Sequence, residues 1–62
     1  MITVKRYRQL LKLMHIAREV NQSKDYSTSN IESLLIKHLN PSKRELSKLV
    51  KEVSEIIEQY YK

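Results

Sequence analysis

The chain has 62 residues, with 12 Lys and Arg against 7 Asp and Glu, which gives a formal net charge of +5. A chain of this length forms one domain at most and buries only roughly 60% of its unfolded surface, which leaves little core for a catalytic cleft. With no Cys and no Gly, the sequence excludes a disulfide framework and a glycine-rich phosphate loop. The lack of Gly and the single Pro also disfavour tight hairpin turns. We therefore expect residues 1–62 to form a single all-α domain, a three-helix bundle.

The two histidines, His15 and His38, give no indication of catalysis or metal binding. Neither has a carboxylate and a nucleophile nearby in the sequence, and no metal-ligand spacing links them. We expect both to be partly exposed surface residues, and we expect no enzyme activity, no cofactor and no metal. The longest apolar run, Leu34 to Ile36, is far below the roughly 20 residues of a membrane span, and no signal-peptide pattern opens the chain. These features predict a cytoplasmic protein.

The first helix is predicted over residues 4–21, after Thr3 as its N-cap. Residues 21–28, which read NQSKDYST, are polar and predict a solvated connection. The predicted core face of the helix consists of apolar residues that recur at helical spacing. These residues are Val4, Tyr7, Leu10, Leu11, Met14, Ala17 and Val20.

The second helix is predicted over residues 30–39. Ser29 and Glu32 have the spacing of a capping box, in which each side chain bonds the other residue's backbone N–H. Asn40 precedes Pro41, and the residue before a proline is disfavoured in the helical region, so this helix should end near Leu39.

The third helix is predicted over residues 42–61, with Ser42 and Glu45 as a second capping box. Its apolar face is too wide for a single contact, and a second helix of roughly 16 Å cannot cover all of a third helix of roughly 30 Å. The far end of that face is therefore a predicted homodimer surface. Its residues are Val53, Ile56, Ile57, Tyr60 and Tyr61.

The basic residues are unevenly distributed once the helices are folded in an up-down-up order. That order brings residues 1–12 next to residues 36–48, and we call this end of the molecule the basic pole. It contains eight Lys and Arg and one acidic residue, for a formal charge of +7, whereas the rest of the chain sums to −2. Charge segregation of this kind favours an anionic partner, above all a phosphate backbone.

The segment from helix 2 to helix 3 resembles a helix-turn-helix when Asn40 is placed at the turn position usually held by glycine. Two residues depart from the pattern: Ile36 stands where a small residue is usual, and Pro41 stands where an apolar residue is usual. Leucines fill four of the apolar positions, at Leu35, Leu39, Leu46 and Leu49. An outward stripe on helix 3 then consists of Arg44, Ser47, Lys48 and Lys51.

A rival register makes residues 29–39 the recognition helix, but it needs an eight-residue turn and has only Lys37 and His38 as basic groups. The favoured register predicts a small helix-turn-helix-like regulator of transcription, of bacterial or phage type, that binds DNA more than RNA. The predicted nucleic-acid-binding residues are Lys5, Arg8, Lys12, Lys43, Arg44, Ser47, Lys48 and Lys51.

Two other functions remain open. The first is a helical adaptor or inhibitor that docks on an acidic protein through the basic pole or the apolar end of helix 3. The second is a structural oligomerisation unit. We expect no membrane partner, because the apolar residues of helix 1 that would enter a membrane surface are assigned to the core.

Overall fold

Each helix begins at a hydroxyl side chain that accepts a hydrogen bond from the backbone N–H three residues further on. Thr3 accepts at 3.1 Å, Ser27 at 3.2 Å and Ser42 at 3.3 Å. All three capping residues have an extended backbone, as an N-cap requires. The caps satisfy donors that the first turn of a helix cannot pair internally, so they set the point at which each helix starts.

The computed structural model describes residues 1–61, which form three helices: α1 (Val4–Ser23), α2 (Thr28–Leu39) and α3 (Lys43–Tyr60). Every helix packs against both of the others. The predicted all-α three-helix bundle is confirmed, as are the end of helix 2 and the N-caps of helices 1 and 3. Helix 1 is two residues longer than predicted, so the first connection consists only of residues 24–27.

The predicted capping box at the start of helix 2 is wrong. Ser27 caps the helix instead of Ser29, so α2 begins at Thr28. The reason lies in the connection, where the Ser27 N–H donates to Asp25 Oδ1 at 3.1 Å and the Asn30 side chain donates to the Asp25 carbonyl at 2.9 Å. Hydrogen bonds from the Ser27 side chain and backbone lower the pKa of the Asp25 carboxyl.

The core lies along the axis where the three helices meet. Leu13, Ile16, Leu35 and Val53 are fully buried, and burying one such side chain contributes roughly 1.5–3 kcal/mol. No polar side chain is buried among residues 1–61. The complete set of buried apolar residues is Leu13, Ile16, Ala17, Val20, Ile31, Leu35, Leu49, Val53 and Ile57.

The predicted core face of helix 1 is only partly correct. Leu13 and Ile16 are its most buried large residues, yet neither was assigned to the core. Helix 1 carries apolar residues on two faces, and Leu11 and Leu13 lie roughly 200° apart around the helix axis. Helices 2 and 3 cover only the face that includes Leu13. Four residues predicted to be in the core are exposed instead, namely Val4, Tyr7, Leu11 and Met14.

The up-down-up order is consistent with the groove that Lys5 and Arg8 of α1 line together with Asn40 and Ser42 of the turn after α2. Lys12 on α1 donates to the backbone carbonyl of His38, near the end of α2, at 3.4 Å, and Arg6 on α1 forms an ion pair with Glu52 on α3. Helix 1 is roughly 30 Å long by its rise per residue, long enough to run beside the whole of helix 3. The start of helix 1 therefore lies beside the turn between helices 2 and 3.

Candidate nucleic-acid interface

The turn between helices 2 and 3 consists of Asn40, Pro41 and Ser42. Asn40 is left-handed, with φ 47° and ψ 54°, and its N–H donates to the carbonyls of Leu35 and Ile36. This is the conformation that glycine adopts most easily, and Asn is among the few other residues that tolerate it. The helix-turn-helix pattern predicts a glycine-like turn residue at position 40, and the left-handed backbone of Asn40 agrees with that prediction.

Ile36, one of the two departures from the helix-turn-helix pattern, does not separate the helices. Its side chain is 51% exposed, so its bulk points away from the contact between α2 and α3. The contact is made by Leu35 and Leu49, which are buried, and by Leu39 and Leu46, which are partly buried. The two helices therefore approach each other without a small residue at position 36.

The predicted outward stripe on helix 3 is exposed along its whole length. Arg44, Ser47, Lys48 and Lys51 are all exposed, and their i, i+3, i+4, i+7 spacing places them on one face of the helix. Lys43, also exposed, lies in the first turn. Among residues 1–61, no ion pair occupies any of these basic side chains. They are available to an anionic ligand.

The basic residues of helix 1 lie at the same end of the molecule. Lys5, Arg8 and Lys12 are exposed and line a shallow groove with Asn40 and Ser42. The fold thus brings together two groups of basic residues that are more than 30 positions apart in the sequence.

Acidic side chains separate the two basic groups. Glu45 borders the groove at the basic pole and also lies, with Glu52 and Lys48, in the groove between helices 1 and 3. Glu52 pairs with Arg6, and the hydrogen bond between them raises the pKa of the Arg6 guanidinium, although desolvation opposes the rise. Arg6 is therefore already paired within the protein, and we do not count it as a phosphate contact.

The predicted homodimer surface on helix 3 is largely occupied within one chain. Val53 is fully buried and Ile57 is 3% exposed, while Ile56 is partly buried against the same core. Only Tyr60 and Tyr61 are exposed. The prediction took the short helix 2 as the only cover, whereas Val53 and Ile57 belong to one core cluster with buried residues of both other helices.

The exposed face of helix 1 removes the reason for excluding a membrane surface. That exclusion assumed that Tyr7, Leu11 and Met14 were needed for the core, but each is at least half exposed. Along the part of the chain that the structure describes, no helix is long and apolar enough to cross a membrane.

Sequence reasoning did not link His15 with His38, which the fold brings into edge-to-face contact, with ring centroids 5.5 Å apart. Glu19 lies beside both rings. Only the i, i+4 spacing of His15 and Glu19 was visible in the sequence, because His38 comes from another helix.

No protein-family model, curated protein or solved structure matches this chain.

Proposed function

We propose that this protein binds duplex DNA through helix 3 and the basic pole, and that it acts as a small helix-turn-helix-like regulator. The observation that carries the proposal is the left-handed turn at Asn40, followed by an exposed stripe of Arg44, Ser47, Lys48 and Lys51. A three- to four-residue turn between two helices is typical of this motif, and its second helix enters the major groove.

The geometry of helix 3 favours DNA over duplex RNA. The major groove of B-DNA is about 12 Å wide and admits an α-helix, whereas that of A-form RNA is deep, narrow and closed to side chains. In this arrangement, Arg44, Lys48 and Lys51 contact phosphates or guanine edges, and Ser47 lies among them. Lys5, Arg8 and Lys12 then contact the flanking backbone from the groove beside the turn.

A triple Ala variant of Arg44, Lys48 and Lys51 tests the proposal. We expect affinity for DNA to fall for every sequence, and the slope of log K against log salt to decrease by roughly one unit for each lost phosphate contact. Stability should change little, since a substitution at an exposed position usually changes the free energy of unfolding by no more than about 0.5 kcal/mol. Fluorescence anisotropy over a range of salt concentrations measures the affinity, and thermal unfolding verifies the fold.

The matched control removes the same charge from helix 1, by changing Lys5, Arg8 and Lys12 to Ala. If only the helix 1 variant loses affinity, helix 3 is not the recognition helix and the binding surface is the groove beside the turn. If the parent protein has no affinity for DNA at low salt, DNA binding is rejected.

A second candidate function is docking on a protein partner, favoured by the exposed apolar stripe on helix 1. Val4, Tyr7, Leu11 and Met14 follow one face of the helix, and Arg18 continues that face by one further turn. This pattern suits an acidic amphipathic helix as the partner.

Changing Leu11 and Met14 to Ser tests this docking surface. The change should abolish binding of the partner and leave DNA affinity intact. Flotation with anionic vesicles would identify a membrane surface as the ligand instead. A homodimer through helix 3 is not part of either proposal, because Val53 and Ile57 are buried.

A further inference from the structure

His15, Glu19 and His38 converge at the contact between helices 1 and 2. His15 and Glu19 are one turn apart on α1, so their side chains lie on the same face. His38 comes from the last turn of α2. One ligand atom from each residue lies within 4.8 Å of the other two.

The separations within this cluster are those of ligands around one metal ion. His15 Nε2 is 3.2 Å from Glu19 Oε1, and His38 Nε2 is 3.5 Å from Glu19 Oε2. Zinc binds imidazole nitrogen and carboxylate oxygen at about 2.0–2.2 Å, so neighbouring ligands of a tetrahedral site are roughly 3.4 Å apart. The ligand atoms of the two histidines also lie within 4.8 Å of each other.

His38 Nε2 gives a second, independent reason to place a ligand here. This atom is shielded from solvent and has no hydrogen-bond partner within residues 1–61. Glu19 Oε2 is 3.5 Å away, which is too far for a good hydrogen bond. A polar atom that is shielded from water and has no partner is costly even on a partly exposed side chain, and a metal ion would satisfy it.

We propose that His15, Glu19 and His38 bind one zinc ion. Two imidazoles and one carboxylate suit zinc, whereas Mg²⁺ and Ca²⁺ prefer a shell of oxygen ligands. His15 is exposed, so the ion has a route from solvent and a fourth position open to water. The ion joins helix 1 to the last turn of helix 2, immediately before the turn at Asn40. The proposal does not depend on DNA binding.

The competing explanation is that Glu19 forms ion pairs with protonated histidines. Those pairs lie near the surface, and surface ion pairs contribute little to stability. Metal binding instead stabilises the folded state in proportion to the logarithm of metal concentration. The two explanations therefore differ in how thermal unfolding responds to zinc.

Calorimetric titration of the untagged 62-residue chain with Zn²⁺ tests the site. We expect one zinc ion per chain, and a rise in Tm of at least about 10 °C when free zinc exceeds Kd a hundredfold. Co²⁺ should give the visible absorption of a four-coordinate site, and zinc should remove that absorption by displacement. Nitrogen chemical shifts should change for both histidines.

Variants of single ligands test the assignment. His15→Ala and Glu19→Gln should each abolish the rise in Tm and weaken zinc binding at least tenfold, while the zinc-free proteins stay folded because neither position is buried. Glu55→Gln is the matched control, because Glu55 is exposed on helix 3 and away from the cluster, and it should bind zinc like the parent protein.

Three results would overturn the proposal. One is the absence of zinc binding at millimolar concentration. Another is zinc binding that the variants of His15 and Glu19 leave unchanged. The third is zinc-induced dimerisation seen by sedimentation, which would mean that the ligands come from two chains.

Discussion

Leu11 and Leu13 are two residues apart on helix 1 and have opposite environments. Leu13 is fully buried, whereas Leu11 is half exposed. Leu13→Ala should reduce the free energy of unfolding by about 2–5 kcal/mol, because it removes buried contacts and leaves a cavity. Leu11→Ala is the control and should change it by no more than about 0.5 kcal/mol. Urea unfolding followed by circular dichroism measures both.

The comparison distinguishes the two apolar faces of helix 1. A large loss of stability from Leu11→Ala, with little effect of Leu13→Ala, would mean that helix 1 is rotated by about half a turn from the described orientation. The stripe of Tyr7, Leu11 and Met14 would then belong to the core and could not serve as a docking surface.

Two helices end in residues with left-handed backbone, Lys24 after α1 and Asn40 after α2. For an ordinary residue this conformation costs roughly 1–2 kcal/mol. Asn40→Ala should therefore destabilise the protein by about 1 kcal/mol, and Asn40→Gly should be nearly neutral, because Gly accepts the conformation but loses more entropy on folding. Thermal unfolding of the two variants measures the difference.

Lys24 provides the matched test in the other connection. Lys24→Gly should stabilise the chain slightly or leave it unchanged, since the strain removed exceeds or equals the added entropy cost. Equal stability of Asn40→Ala and Asn40→Gly would indicate that the turn is not left-handed, and would remove the geometric support for the helix-turn-helix.

For the whole molecule, one chain encloses its own core. The buried residues come from all three helices, and they include Val53 and Ile57 of the predicted dimer surface. Thermal unfolding should therefore be independent of protein concentration, because mass action enters the apparent stability only when association and folding are linked. Melting curves over a hundredfold range of concentration test this, and a rising Tm would indicate a dimer through another surface, with the helix 1 stripe as the first candidate.

The sequence by itself determined the local features. Thr3 and Ser42 identified two helix starts, and Asn40 before Pro41 identified a helix end, because capping and proline effects act over only a few neighbouring residues. The absence of Gly, together with the helical spacing of the apolar residues, was sufficient to predict the all-α class. The prediction for the start of helix 2 was wrong because four Ser and Thr between positions 23 and 29 offer competing N-caps. The hydrogen bonds of Asp25 decide among them.

Only the tertiary structure decided which surfaces are covered. Helix 1 has apolar residues on two faces, so its periodicity is compatible with either orientation, and packing against helices 2 and 3 selects the face with Leu13. The same packing buries Val53 and brings His38 to His15 and Glu19. Contacts between residues of different helices depend on how the helices dock, and this information is absent from local spacing.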